Sequence, residues 1–443
     1  MENISTTIAD SSPSKPTALN ASQEVKKEIT NIKSLFASAA GNLLEWFDWT
    51  IYAVGSVYIA AALFDKTNPT SALLNTLAVF AVGFISRPLG GFIFGPLANK
   101  FGRKNIMLTT MILMAFSSLM IACIPSFSSI GYWASLLLLI ARLVQGFAHG
   151  GETATSFAYI AEIAPNHRRG LWSSSSYVAN GAGTLLATLS FALLNVVFTT
   201  EQVYEWAWRI PFIIGGLLAF FALYLRRNMV ESHIEGAASS KADVTWSKKQ
   251  FLRTGFRLFL YEAGSTITFY TWVVCVSIYA ITQKGMDPKS AFLMSCLAQL
   301  IYILCLPMQG WLSDKIGRKK TILISYAGCA VTIFPLWALI SNEPWTLFAA
   351  QTVGLIFIGF SMSCKAAAIS EQVPTQYRTK MIGVFTSLSI ALFGGTASYI
   401  NTWLYSNQMG WMFSLYLIMI CCISFIVVLL WKDRSGVPLD QIK

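Results

Sequence analysis

The chain has 443 residues, 55% of them hydrophobic, 14% aromatic and only 12% charged, with a mean hydropathy of +0.56. Soluble domains carry about 25% charged residues, so this composition excludes a soluble enzyme or binding module. The net charge of +11 does not mark a nucleic-acid surface, because 24 of the 32 Lys and Arg sit at the two termini and in or beside alternate loops, 99–104, 164–169, 227–253, 313–320 and 373–380.

Only Lys66, Lys284 and Lys289 fall in the other set of loops, and Arg87, Arg142, Arg209, Arg257 and Lys365 lie within or at the ends of helices. This is the positive-inside asymmetry. It predicts cytoplasmic termini and an even number of spans. Apolar runs long enough to cross a bilayer recur twelve times, at 35–62, 71–98, 104–125, 131–163, 170–198, 206–226, 252–282, 289–312, 320–341, 345–372, 379–406 and 410–431. The fold class expected is therefore an all-α membrane protein of twelve transmembrane helices. A polar N-terminal tail (1–34) precedes it, without the short apolar segment and cleavage site of a signal peptide. The eight Cys lie in apolar spans with no CxxC spacing and the three His are scattered, so no disulfide framework, metal site or cofactor is expected. No P-loop is present to drive transport with ATP.

In the first span, "GNLLEWFDWTIYA" (41–53) places Glu45 and Asp48 on one helix face, three residues apart. Asp48 is about 13 residues, or ~20 Å, into the helix and so near mid-depth. A carboxylate there costs roughly 2.5–3.5 kcal/mol on insertion scales, which calls for a task. Trp46 beside them is a candidate cavity side chain. The fourth span carries Arg142 at matching depth. Asp48 and Arg142 are therefore expected to pair, either as an element that a proton can bias or as a static buried salt bridge. Glu45 holds a second proton, pairs with Arg142 in one state, or bonds a neighbouring helix. Gln145 is a further cavity candidate. His149 shares the face of Arg142, and Glu152 ends "HGGE" about 15 Å along the helix; both fit an inner-half network or a plain gating contact.

The polar loop 227–250 divides the chain into six-helix bundles at 35–226 and 251–432, with a short tail at 433–443. Internal repeats support the cut. "GPLANKFGRK" (95–104) aligns with "GWLSDKIGRK" (310–319), and "EIAPNHRR" (162–169) with "EQVPTQYR" (371–378). Their charged residues, Arg103, Lys104, Glu162, Arg169, Asp314, Arg318, Glu371 and Arg378, sit at matching helix ends and are expected to latch one side of a central pathway, with Asn99 unable to carry the charge of Asp314. The alternative is that they only set topology. In the second half, Glu262 lies deep in the seventh span. The 215-residue offset of the loop repeat carries Asp48 to within two residues of it, so it either faces the cavity or pairs with Arg257. Tyr270 and Trp272 are candidate cavity aromatics, and Lys365, near the inner end of the tenth span, is expected to snorkel to the cytoplasm.

Taken together, "GNLLEWFDWTIY", "RPLGGFIFG" (87–95), "RLVQGFAHGGE" (142–152), "AEIAPNHRRG" (161–170), "WAWRIPF" (206–212), "GWLSDKIGRK" and "FGG" (393–395) resemble the metabolite:proton symporter family of the major facilitator superfamily. The resemblance covers nearly all the chain beyond the N-terminal tail. It implies two pseudo-symmetric six-helix bundles and alternating access. It implies inward movement of organic acids or zwitterions with protons across a bacterial inner membrane, by a monomer with membrane lipid and a small-molecule substrate as its partners. It also implies an acid on helix one set against an arginine on helix four. Asn99, Ser398 in "FGGTAS" and the lack of an osmosensing coiled-coil tail depart from the pattern. An exporter of the same fold, or a receptor that kept the fold without transporting, are the alternatives; a receptor would not need a titratable acid at mid-depth. The charge asymmetry makes one direct prediction: a Cys placed at Asn68 or Asn342 is labelled from outside the cell and one at Ser239 is not, and labelling of Ser239 in intact cells would reverse the topology.

Overall fold

The computed structural model describes residues 35, 39–65, 67–101, 103–150, 157, 160–227 and 246–442, excluding the side chains of 95, 96, 98–107, 220–227, 375, 376, 379 and 440. The tail 1–34 and most of the interior loop therefore lie outside the described residues. Those described are helical almost throughout, with no strand among them. Helix α1 runs over 39–54 and, after a turn at Gly55, over Ser56–Leu63. It is followed by α2 (Pro69–Phe101), α3 (Arg103–Cys123), α4 (Tyr132–His149), α5 (Arg169–Val197) and α6 (Ile210–Arg227). The second half holds α7 (Lys248–Lys284), α8 (Pro288–Ile316), α9 (Arg318–Leu339), α10 (Pro344–Ser370), α11 (Thr375–Met381, continuing over Ile382–Ser406) and α12 (Trp411–Leu429).

Eight of these helices are long and apolar enough to cross a membrane by length and composition, and α1, α3, α4 and α6 complete the twelve. Phe92, Met308 and Val331 stand 80%, 70% and 75% exposed, facing outward where a soluble protein would place polar groups. In lipid every backbone group must bond within its own helix, which is why the fold is built from helices alone.

Helices α2 and α4 cross with their backbones touching. A Cβ on Gly90 would meet the Phe147 carbonyl, one on Gly146 the Gly83 carbonyl, and one on Gly150 the Arg87 carbonyl. Small residues permit this approach where no hydrophobic force drives helices together. Between the halves, α5 packs on α8 in the same way, with Gly170 and Gly310 facing each other. The second contact joins α2 to α11, with Gly395 set against the Phe84 ring. Moving six helices along the chain exchanges α2 with α8 and α5 with α11, so the two interfaces are related by the same pseudo-symmetry as the loop repeats. The segment after α12, expected as a tail, packs back onto the bundle ends: Ile442 is buried, Ser435 Oγ accepts from the Arg318 backbone N–H at 2.9 Å, and the Val437 carbonyl accepts from Arg169 at 3.2 Å.

Inserting bulk at the α2–α4 crossing forces the helices apart, and overpacking of this kind costs about 1–3 kcal/mol or more. Gly90→Val and Gly146→Val are therefore expected to lose most detergent-stable protein in size-exclusion profiles. Leu89→Val, on an exposed part of the same helix, should behave as wild type.

Candidate functional site

The ionisable groups of the first bundle converge where α1, α3 and α4 meet. Asp48 accepts from the Ser118 hydroxyl on α3 through one carboxylate oxygen and from Gln145 Nε2 on α4, at 2.9 Å, through the other. Gln145 Nε2 also reaches Ser118 Oγ at 2.8 Å, and its carbonyl accepts from Arg142 Nη1 at 2.7 Å. All four residues are buried. The expected direct Asp48–Arg142 pair is thus absent among the described ion pairs, and Gln145 stands between the two charges. The reason lies in the aromatic neighbours. The Arg142 guanidinium lies over the rings of Trp49 and Tyr52, at 4.1 and 4.2 Å, and its flat delocalised cation gains there. Gln145, one turn along α4, fills the gap with its oxygen toward the cation and its nitrogen toward the acid, the one amide orientation that serves both neighbours.

A second guanidinium joins this cluster that sequence reasoning passed over. Arg87, from "RPLGG" on α2, lies 4.0 Å from the Trp49 ring and 4.4 Å from that of Phe84, and is 4% exposed. The Nε and Nη2 atoms of both Arg87 and Arg142 find no hydrogen-bond partner among the described residues. Buried donors are almost always satisfied, which singles out these two arginines beside one indole as candidate binding groups. The available signal was a charge inside an apolar span, which is a functional candidate by default.

Glu45, one turn from Asp48, pairs with His149 and not with Arg142. Trp46 meets the His149 ring edge-on and reaches across to α7, with Phe269 at 5.8 Å and Tyr270 at 6.5 Å. Tyr270 in turn contacts Phe84 at 5.4 Å, so the aromatic cluster joins the two bundles around the arginines. Trp272 turns away from it, against Trp337 of α9. A cavity of about 20 Å³ touches both Glu45 and Asp48, enough for about one water.

In the second bundle, Lys365 Nζ lies 2.5 Å from Glu262, with both side chains buried. This corrects the expected snorkelling of Lys365, and Arg257 is not the partner of Glu262. The cause is a break in α10 at Cys364, after which Lys365 opens a short inward-turned helix. Its charge sits 5.5 Å from the Tyr177 ring of α5, in the other bundle.

At the end that carries the basic loops, the repeated charges do come together. Arg169 donates to Glu371 at 2.8 Å and Arg378 to Glu162 at 2.6 Å, each across the two bundles. Asp314 accepts from the backbone N–H groups of Gly170 and Leu171, at 2.8 and 2.9 Å, and so caps α5 from the opposite bundle. Arg318 bonds Asp314 at 2.7 Å and approaches Glu371 at 3.5 Å. Burial pushes the Glu371 carboxyl above its ordinary range while Arg318 and Arg169 pull it back. The side chains of Asn99, Arg103 and Lys104, and the whole of Glu152, lie outside the described residues.

Two six-helix bundles with charges buried at mid-span and ion pairs across one end define a secondary transporter rather than an enzyme. The chain belongs to the major facilitator superfamily: the Sugar (and other) transporter family matches residues 33–250 and the Major Facilitator Superfamily matches residues 276–441. It is 35% identical over 408 residues to the alpha-ketoglutarate permease of Escherichia coli strain K12, across 91% of this chain and 94% of that protein. It is 30% identical over 431 residues to the inner membrane metabolite transport protein YhjE of the same strain, across 94% and 98%. The proton:xylose symporter XylE bound to 6-bromo-6-deoxy-D-glucose shares the fold, with a TM-score of 0.72 at 17% identity over 93% of this chain and 98% of that one. The chain is therefore a multi-pass inner-membrane protein that moves a small molecule by secondary transport.

Asp314→Asn removes the shorter of the two carboxylate contacts of Arg318, leaving Glu371 at 3.5 Å, and gives α5 a neutral cap. Breaking a buried pair costs about 3–5 kcal/mol, and the cost falls on the state in which this end is closed. Uptake is expected to drop at least tenfold with the amount of protein in the membrane unchanged; wild-type uptake would reduce these loops to topology signals.

Proposed function

We propose that the protein imports a small organic acid together with protons, by alternating access between its two bundles, with the basic end facing the cytoplasm. The observation that carries this reading is the buried chain Asp48–Gln145–Arg142. Ionised Asp48 holds the Gln145 amide by a charge-assisted bond, about twice as strong as a neutral one, and so fixes the Gln145 carbonyl on Arg142. A proton on Asp48 cancels that charge. The amide is then free to turn, and Arg142 can offer its donors to a substrate carboxylate. Glu45, beside the same water-sized cavity and paired with His149, is the next acid along α1.

Arg87 adds a second cation against the same indole, so the site favours an acid with one or more carboxylates over a neutral solute. A zwitterion would need a carboxylate for its ammonium group. Glu262, the candidate for that role, is already held by Lys365. The name of the alpha-ketoglutarate permease relative points the same way. As for driving force, each net positive charge moved down 100 mV yields about 2.3 kcal/mol, roughly 50-fold in accumulation, and the potential contributes when the protons outnumber the carboxylates of the substrate.

Asp48→Asn mimics the protonated acid and cannot cycle. It is expected to abolish accumulation against a gradient while retaining counterflow exchange in proteoliposomes, because exchange needs no net proton release. Normal accumulation by Asp48→Asn, with loss in Glu45→Gln, would move the coupling site to Glu45. Arg87→Gln should leave the proton step in place and raise the KM for an organic acid at least tenfold, whereas an unchanged KM removes Arg87 from the site.

A further inference from the structure

A second cavity lies away from the centre of the molecule. It is a cleft of about 270 Å³ at the basic end of the second bundle, between the start of α7, the end of α12 and the loop before α11. That volume is close to the lower bound of small-ligand sites, about 300 Å³. Three cations line it, Arg257 of α7 and Lys432 and Arg434 beyond α12, and no carboxylate is among its lining residues. None of the three forms an ion pair with a described acid. Asp433, between two of them in sequence, is turned away to bond the Ser435 N–H and hydroxyl. Three like charges around one cleft repel each other unless an anion joins them.

The walls are rigid and aromatic. Trp246 stacks on Tyr377 at 5.4 Å, and Trp431 packs against Tyr261 at 4.8 Å. Tryptophans at helix ends occupy the headgroup level of a bilayer. The rim is apolar at the end of α12, where Leu430 stands 65% exposed. A phosphate ester is the chemistry that matches the cations, and a rim that opens onto acyl chains separates a lipid from a soluble phosphate. We propose that this cleft seats the phosphate of an acidic phospholipid, with Arg257, Lys432 and Arg434 as its ligands. The seat adjoins the contacts across the bundles, since Gln372 in its lining follows Glu371, and Arg434 precedes the Ser435 hydroxyl that holds α9.

The test is lipid binding to the full chain, purified and delipidated in neutral detergent, read by native mass spectrometry. Phosphatidylglycerol is expected to be retained at least tenfold more tightly than phosphatidylcholine, and Arg257→Gln/Arg434→Gln is expected to bind it at least tenfold more weakly. Glycerol 3-phosphate, the soluble arm, should bind far more weakly than the lipid. Equal retention of the two lipids, or wild-type retention by the double variant, overturns the site. Glycerol 3-phosphate binding as tightly as phosphatidylglycerol overturns the lipid assignment in favour of a soluble phosphate ester. If the double variant does not fold, Lys432→Gln, at an exposed position, replaces it: a loss of at least threefold supports the proposal and no loss overturns it.

Discussion

A charge inside the bundle has no water to fall back on, and most of the arrangement at the centre of this transporter follows from that constraint. Moving a charged group from water into a low-dielectric interior costs several kcal/mol even after relaxation, so each buried ion is held by something specific. Glu262 is held by Lys365, Glu45 by His149, and Asp48 by a hydroxyl and an amide. Arg87 and Arg142 are the exceptions. Aromatic faces offset part of their cost, and the Nε and Nη2 donors of both have no hydrogen-bond partner among the described residues.

The glycines of α2 and α4 make that arrangement geometrically possible. Because Gly83, Gly90, Gly146 and Gly150 let the two backbones touch, Arg87 and Arg142 arise from neighbouring helices close enough to share one indole. A wider crossing would separate the cations. The same device repeats at Gly170 and Gly310 between the bundles, where the facing backbones bring α5 under Asp314. Small residues thus serve two purposes: they set the spacing of charges within a bundle, and they bring charged helix ends into register between bundles.

The charges at the basic end and those at mid-depth answer different demands. Those at the end, Arg169 with Glu371 and Arg378 with Glu162, cross the divide between bundles and must part if that end is to open. Asp48, Gln145 and Arg142 lie wholly within the first bundle, so opening that end does not by itself separate them. In the proposed cycle a proton at Asp48 acts on the first bundle, and the aromatic contacts that Trp46 and Tyr270 make across the divide link that bundle to the second.

The sequence by itself determined the helical spans, their grouping in two halves and the placing of the repeated loop charges at matching helix ends, because each rests on local pattern. An apolar run of bilayer length is a helix whatever surrounds it, and a motif repeated at a matching helix end lands at a matching place in a pseudo-symmetric fold. Asp48 and Arg142 were likewise visible as charges at one depth. Only the tertiary structure decided what touches what. Depth along a helix says nothing of rotation about its axis, so it could not place Gln145 between Asp48 and Arg142 or aim Arg87 at Trp49. Nor could composition reveal the break at Cys364 that turns Lys365 inward to Glu262 instead of outward to water. Those choices follow from how helices close to contact, and that is fixed by glycines and aromatic rings on partners distant in the chain.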